Sequence, residues 1–225
     1  MLTYLIYIAI LLIVPFWAQS KVKSTYKKYS QVMNANMVTG AQVARKILDD
    51  NGLYHVRIEE VNGMLSDHYD PRSKVVRLSS NNYHGYSAAA AAIAAHEVGH
   101  AIQDAESYAF LRFRHALVPI AGLGDKMSFI FIIGGIVLNA MGLVLVGVIF
   151  MSFAVLFQLV TLPVEFDASN RAMTQLVSSG IIRNDEERQT KKVLNAAALT
   201  YVAAALVAVA ELIRFASIFL LANDD

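Results

Sequence analysis

Hydrophobic and polar positions divide the chain into long apolar runs separated by segments of mixed polarity. The first run, Leu2 to Ala18, is seventeen uncharged residues ending in Pro15-Phe16-Trp17, and Lys21, Lys23, Lys27 and Lys28 follow at once. A cleaved leader carries its positive charge ahead of the apolar stretch, so this order predicts a retained membrane helix over 1–19 with Trp17 at the interface. From Met127 to Val164 there is no charged residue over 38 positions. As one helix that length is about 57 Å, nearly twice the roughly 30 Å bilayer core, so a helical hairpin over 117–162 is expected. Asn139 to Gly142, or Gly147, could supply its turn. A last apolar stretch predicts a span over 193–222, entered by a helix that Asn184 and Glu187 cap.

The segments 20–116 and 163–192 read as water-facing. Thr39-Gly40-Ala41-Gln42 has the form of a capping box and Gly52 the position of a C-terminal cap, which bounds a helix over about 40–50. Residues 54–61, 64–69 and 74–78 are rich in strand formers, and Asn62-Gly63 and Asp70-Pro71 are turn signals, so a small antiparallel sheet is expected there. Ser87 then stands as the N-cap of a helix running through the alanines at 88–95. The expected class is an α-helical membrane protein with about four transmembrane helices and an α+β insert.

Composition agrees with the membrane class: 56% of the 225 residues are hydrophobic and 16% charged, against a usual charged share of about 25%. A net charge of +1 argues against a nucleic-acid partner, and the absence of cysteine restricts any metal to His, Asp or Glu. Of 19 Lys and Arg, 12 fall in 20–116 and 5 in 163–193, so the positive-inside rule places both segments in the cytoplasm and both termini outside.

Against this background His96-Glu97-Val98-Gly99-His100 carries the chemistry. Residues four apart share a helix face, so His96 and His100 can offer two nitrogens to one metal ion while Glu97 flanks it. That spacing suits a zinc hydrolase: two histidines and a third protein ligand leave a position for water, and a neighbouring carboxylate takes the water's proton. Gly99 costs the helix about 1 kcal/mol against alanine, which suggests close approach of a substrate or backbone, or simply tight helix packing. His55, His68, His84 and His115 are expected to be surface or structural residues. His68, with Asp67 and Asp70, has the residue types of a second metal site, although the Asp70-Pro71 turn explains the aspartates without one. His68, His84, Tyr86 and Arg171 are the residue types available to stabilise an oxyanion.

Three strings, Ser66-Asp67-His68-Tyr69-Asp70-Pro71, Ala94-Ala95-His96-Glu97-Val98-Gly99-His100-Ala101-Ile102-Gln103 and Leu162-Pro163-Val164-Glu165-Phe166-Asp167-Ala168-Ser169, resemble in order the bacterial membrane-bound neutral zinc metallopeptidases of the YugP type. A more distant likeness is to the HtpX and Ste24-like membrane proteases. The resemblance implies a zincin-like cytoplasmic insert, one Zn²⁺ per chain on His96, His100 and Glu165, and Glu97 as general base. In the distant families an Asp follows the third ligand by four residues; here that position is Ser169, which leaves Asp104 and Asp167 as candidates to orient a ligand histidine. Asp104 and Glu106 lie nearer than Glu165, but a ligand there requires a helix break that residues 101–106, without Gly or Pro, do not offer. An even number of membrane crossings returns Glu165 to the side of His100.

The reading implied is a multi-pass protease of the bacterial plasma membrane, its active site facing the cytoplasm, acting on membrane-associated proteins or peptides. An intramembrane zinc protease and a non-catalytic zinc-bound scaffold or chaperone are the alternatives. Substrate identity, oligomeric state and regulation are not encoded in any motif.

Overall fold

The computed structural model describes residues 2–222, the side chains of 2–6, 184, 185, 221 and 222 excepted. The elements run α1 (Leu2–Tyr29), α2 (Gly40–Asp50), β1 (Arg57–Val61), β2 (His68–Asp70), β3 (Val75–Ser79), α3 (Ser80–Tyr83), α4 (Ala88–Ala105), α5 (Ala109–Val137), α6 (Met141–Ser178) and α7 (Asn184–Ala222). The chain forms two compact units, one of residues 16–108 with 164–200, the other of 2–15, 109–163 and 201–222.

In the first unit, local signals set the helix ends. Thr39 Oγ1 accepts from Gln42 N while Gln42 Oε1 accepts from Thr39 N, closing the capping box of α2, and Gly52 takes φ 72° just past its end. Ser87 Oγ accepts from Ala90 N to open α4. Helix α4 buries nearly every residue from Ala88 to Gln103, as a helix that is apolar on all sides must. Its alanines share a core with Val43, Ile47 and Leu48 of α2, Val76 and Leu78 of β3, Ala172 and Leu176 of α6, and Val193 and Leu194 of α7.

The sheet departs from the expected antiparallel one. Its order is β1-β3-β2, with β1 and β3 parallel and β2 and β3 antiparallel. Asn62-Gly63 therefore makes no hairpin, because β3 enters between the two strands it would have joined. The most apolar strand takes the centre, with Val75, Val76 and Leu78 buried. Asp67 fixes the outcome by accepting from Ser79 N at 2.7 Å, from Ser79 Oγ and from Asn82 Nδ2, which tethers the start of β2 to the end of β3. The turn at Asp70-Pro71 forms as expected, with Asp70 accepting from Arg72 N and Ser73 Oγ.

In the second unit α5 and α6 make an antiparallel hairpin held by small residues. A Cβ on Gly124 would lie 2.7 Å from Phe150 O, one on Gly135 2.7 Å from Val144 N, and one on Gly147 2.9 Å from Ile132 N. Gly147 is thus a packing position, and the turn falls at Asn139, whose φ is 50°. Three helical stretches, Ala109–Val137, Met141–Ser178 and Glu186–Leu220, are long and apolar enough to cross a membrane. They leave Phe129, Val137 and Leu220 exposed, as lipid-facing side chains would be. Helix α7 starts at Asn184, but the side-chain cap expected there lies outside the described residues.

Candidate metal centre

Two helices of the first unit build the site: α4 supplies His96, Glu97 and His100, and α6 supplies Glu165. Their crossing is unusually close. A Cβ on Gly99 would meet the Ala168 carbonyl oxygen at 2.6 Å, so the glycine between the histidines serves the approach of the α6 backbone. The close backbone approach and the tight helix packing that its sequence position allowed are here the same contact.

That approach brings Glu165 Oε2 to 3.3 Å from His96 Nε2 and 3.6 Å from His100 Nε2. Tetrahedral zinc with Zn–N and Zn–O bonds near 2.1 Å holds its ligand atoms about 3.4 Å apart. The three donor atoms all lie within 4.8 Å of one another, and no other such group of His, Cys, Asp or Glu occurs among the described residues. The set is hard-to-borderline in character, two imidazoles and a carboxylate, which fits zinc. It is also secluded: the side chains of His96 and His100 are 12% exposed and that of Glu165 3%.

The opposite ring nitrogens are held as well. His100 Nδ1 donates to Gln103 Oε1 at 3.0 Å, while Gln103 Nε2 donates to Val164 O and to Asp167 Oδ2, each at 2.8 Å. Both of the latter partners only accept, so the amide orientation is fixed; His100 carries a proton on Nδ1, and its neutral form leaves Nε2 as the nitrogen available to a metal. Gln103 is fully buried with every amide group partnered. His96 Nδ1 lies 3.2 Å from Ser169 Oγ.

The acids considered from sequence sit differently. Asp167 reaches His100 through Gln103 and also takes Arg171 Nε at 2.6 Å; Arg171 in turn binds Glu106 and lies over the Tyr108 ring. Asp104 accepts from the Tyr69 hydroxyl and from Lys74 Nζ, tying β2 to α4. Gln103 and Ser169 are the partners that sequence reasoning missed. Gln103, one turn past His100, was visible by spacing; Ser169 was visible only as a departure.

Glu97 is buried beside the histidines, 8% exposed. Burial pushes its carboxyl above the ordinary range, against the opposing pull of His96 and His100. Burial alone would lower His100, but the Glu165 carboxylate outweighs it and raises that imidazole. Of the remaining histidines, His68 Nδ1 donates to Ser66 O, His84 Nε2 pairs with Glu60 at 3.1 Å, and His55 and His115 are exposed. Asp67 is engaged by Ser79 and Asn82 and Asp70 by its own turn, and no second metal group around His68 is found among the described residues.

Residues 4–220 match the family described as "Putative neutral zinc metallopeptidase". The chain is 53% identical over 210 residues to the protein named "Putative membrane protease YugP" of Bacillus subtilis (strain 168), covering 93% of each. No solved structure matches. With a family match over nearly the whole chain and a donor set suited to zinc at its centre, the chain belongs to the neutral zinc metallopeptidase family.

Proposed function

We propose that the protein is a membrane-embedded zinc endopeptidase, with His96, His100 and Glu165 holding one Zn²⁺ per chain and Glu97 acting as general base. The observation that carries this reading is the separation of the three donor atoms, 3.3 and 3.6 Å from Glu165 to the two histidines, in a secluded site with Glu97 beside it. Zinc held there would polarise the scissile carbonyl and lower the pKa of a water molecule. Glu97 would accept a proton from the attacking water and pass it to the departing amine. Gln103 and Ser169 hold the two imidazoles in the orientation that frees their Nε2 atoms.

Membrane placement completes the proposal. Spans over 1–19 and 193–222 and a hairpin over 117–162 make four crossings, and 20–116 and 163–192 face the cytoplasm, where most of the Lys and Arg lie. Substrates are membrane-associated proteins or peptides. Their main chain pairs along a free edge of the sheet, and β2 is the favoured edge because Tyr69 joins it to the metal helix.

The test is Glu97→Gln in the purified, full-length protein. Hydrolysis of denatured membrane proteins should fall by at least about a hundredfold while zinc content stays near that of the wild type. Equal loss of zinc and activity would remove Glu97 from the role of base, and a wild type that binds zinc without hydrolysing any such substrate would favour a scaffold.

A further inference from the structure

Where the first apolar run ends, α1 and α7 enclose a groove of about 420 Å³. Its walls include Lys21, Ser24 and Lys28 of α1 and Lys192, Asn195 and Leu199 of α7, and no Asp or Glu lines it. All three lysines are exposed, and none has an ion-pair partner among the described residues. Three cations facing one groove repel one another, so an arrangement with no acid to offset them favours an anionic occupant.

Position narrows the anion. Lys21 and Lys192 stand just outside the limits proposed for the spans 1–19 and 193–222, at the height of lipid headgroups. Along α1, Trp17, Lys21, Ser24 and Lys28 recur at helical spacing and form one stripe, with Trp17 54% exposed. An interfacial aromatic above two lysines, with Leu199 on the opposite wall, offers an apolar surface for the start of an acyl chain and cationic donors for a phosphate.

We propose that this groove binds the phosphodiester headgroup of an anionic phospholipid. Lysines suit a phosphate as movable point charges, while Asn195 supplies a neutral donor. The proposal rests on α1 being a membrane helix, and the experiment separates the two.

Trp17 is the only tryptophan, which makes it a built-in reporter. Full-length protein would be placed in phosphatidylcholine nanodiscs containing a minor fraction of lipid brominated near the headgroup, either phosphatidylglycerol or phosphatidylcholine. Brominated phosphatidylglycerol should quench Trp17 well beyond brominated phosphatidylcholine at the same fraction. Each Lys→Gln change at 21, 28 or 192 should reduce that preference about fivefold, and the triple Lys→Arg variant should retain it. Equal quenching by the two lipids overturns the groove as a lipid site while leaving α1 in the membrane, whereas quenching by neither removes α1 from the interface and the groove with it. Loss of the preference on adding glycerol phosphate at low ionic strength would assign the groove to a soluble phosphate and overturn the lipid.

Discussion

Gly99→Ala is the smallest change that separates the packing of the metal centre from its chemistry. The added Cβ would sit 2.6 Å from the Ala168 carbonyl oxygen and 3.2 Å from its carbonyl carbon and Cα, all backbone atoms that no rotamer change can move. Ordinary carbon–oxygen contact is near 3.4 Å, so α4 and α6 must separate by roughly 0.8 Å. Overpacking of this kind costs about 1–3 kcal/mol, and the gain in helix propensity returns about 1, so the fold survives with a loss of up to about 2 kcal/mol. The metal site is less forgiving. Ala168 lies on α6 three residues after Glu165, and zinc distances tolerate only about 0.2 Å, so the displacement exceeds the tolerance several-fold. The expected result is a zinc affinity lowered by about tenfold to a hundredfold, measured by competition with a chromogenic chelator. Melting with and without chelator should show a small loss in the metal-free protein and a larger one in the zinc-loaded protein. Unchanged zinc affinity in a folded Gly99→Ala protein would refute the argument that this crossing sets the ligand separation.

Gln103→Leu strands His100 Nδ1, at a cost of about 1–3 kcal/mol for a buried unpartnered group, and removes one donor each from Val164 O and from Asp167, which keeps Arg171; zinc affinity should fall by about tenfold or more, and retention of wild-type affinity would show that His100 needs no orienting partner. Zinc content of Glu165→Ala should approach zero while Asp104→Ala and Glu106→Ala stay loaded, and a loaded Glu165→Ala protein would refute the ligand. The Asp70 carboxyl is held below its ordinary 3.8 by Ser73 Oγ, Arg72 N and Arg77, so the stability it lends is complete above that value and is lost only as pH falls below it. Asp70→Asn should therefore melt at lower temperature than the wild type at pH 7, with the gap closing in strong acid; a constant gap would mean the charge contributes nothing.

What was legible in the sequence followed the range of the interaction. The capping box at Thr39 and the cap at Ser87 are closed by partners three residues away, so a short window contains the whole cause. Two histidines one turn apart are likewise a local statement. The sheet was misread because its order depends on Asp67 reaching Ser79 at the far end of another strand, while Asn62-Gly63 locally argues for a hairpin. Gly99 was recognised as unusual, but its partner Ala168 is 69 positions distant and separated from it by α5 and most of α6. Gly147 stayed a second candidate for the turn beside Asn139 to Gly142, because a glycine that admits a neighbouring helix is indistinguishable, along the chain, from one that bends its own. Ser169 shows the same limit: its departure from the acid of distant relatives was plain, and its contact with His96 needed the helix crossing to be seen.

The alanines of α4 have a thermodynamic side as well as a geometric one. Fixing a buried leucine or isoleucine removes about 0.5–1 kcal/mol of rotamer entropy, whereas alanine has none to lose. From Ala88 to Ala95 only Ile93 carries a longer chain, so the helix reaches its central position almost free of side-chain ordering. Its neighbours then rest against methyl groups fixed rigidly to the backbone, with no alternative rotamers to populate. The backbone that carries His96 and His100 is therefore set in place with little side-chain ordering around it, before any metal or substrate contributes binding energy.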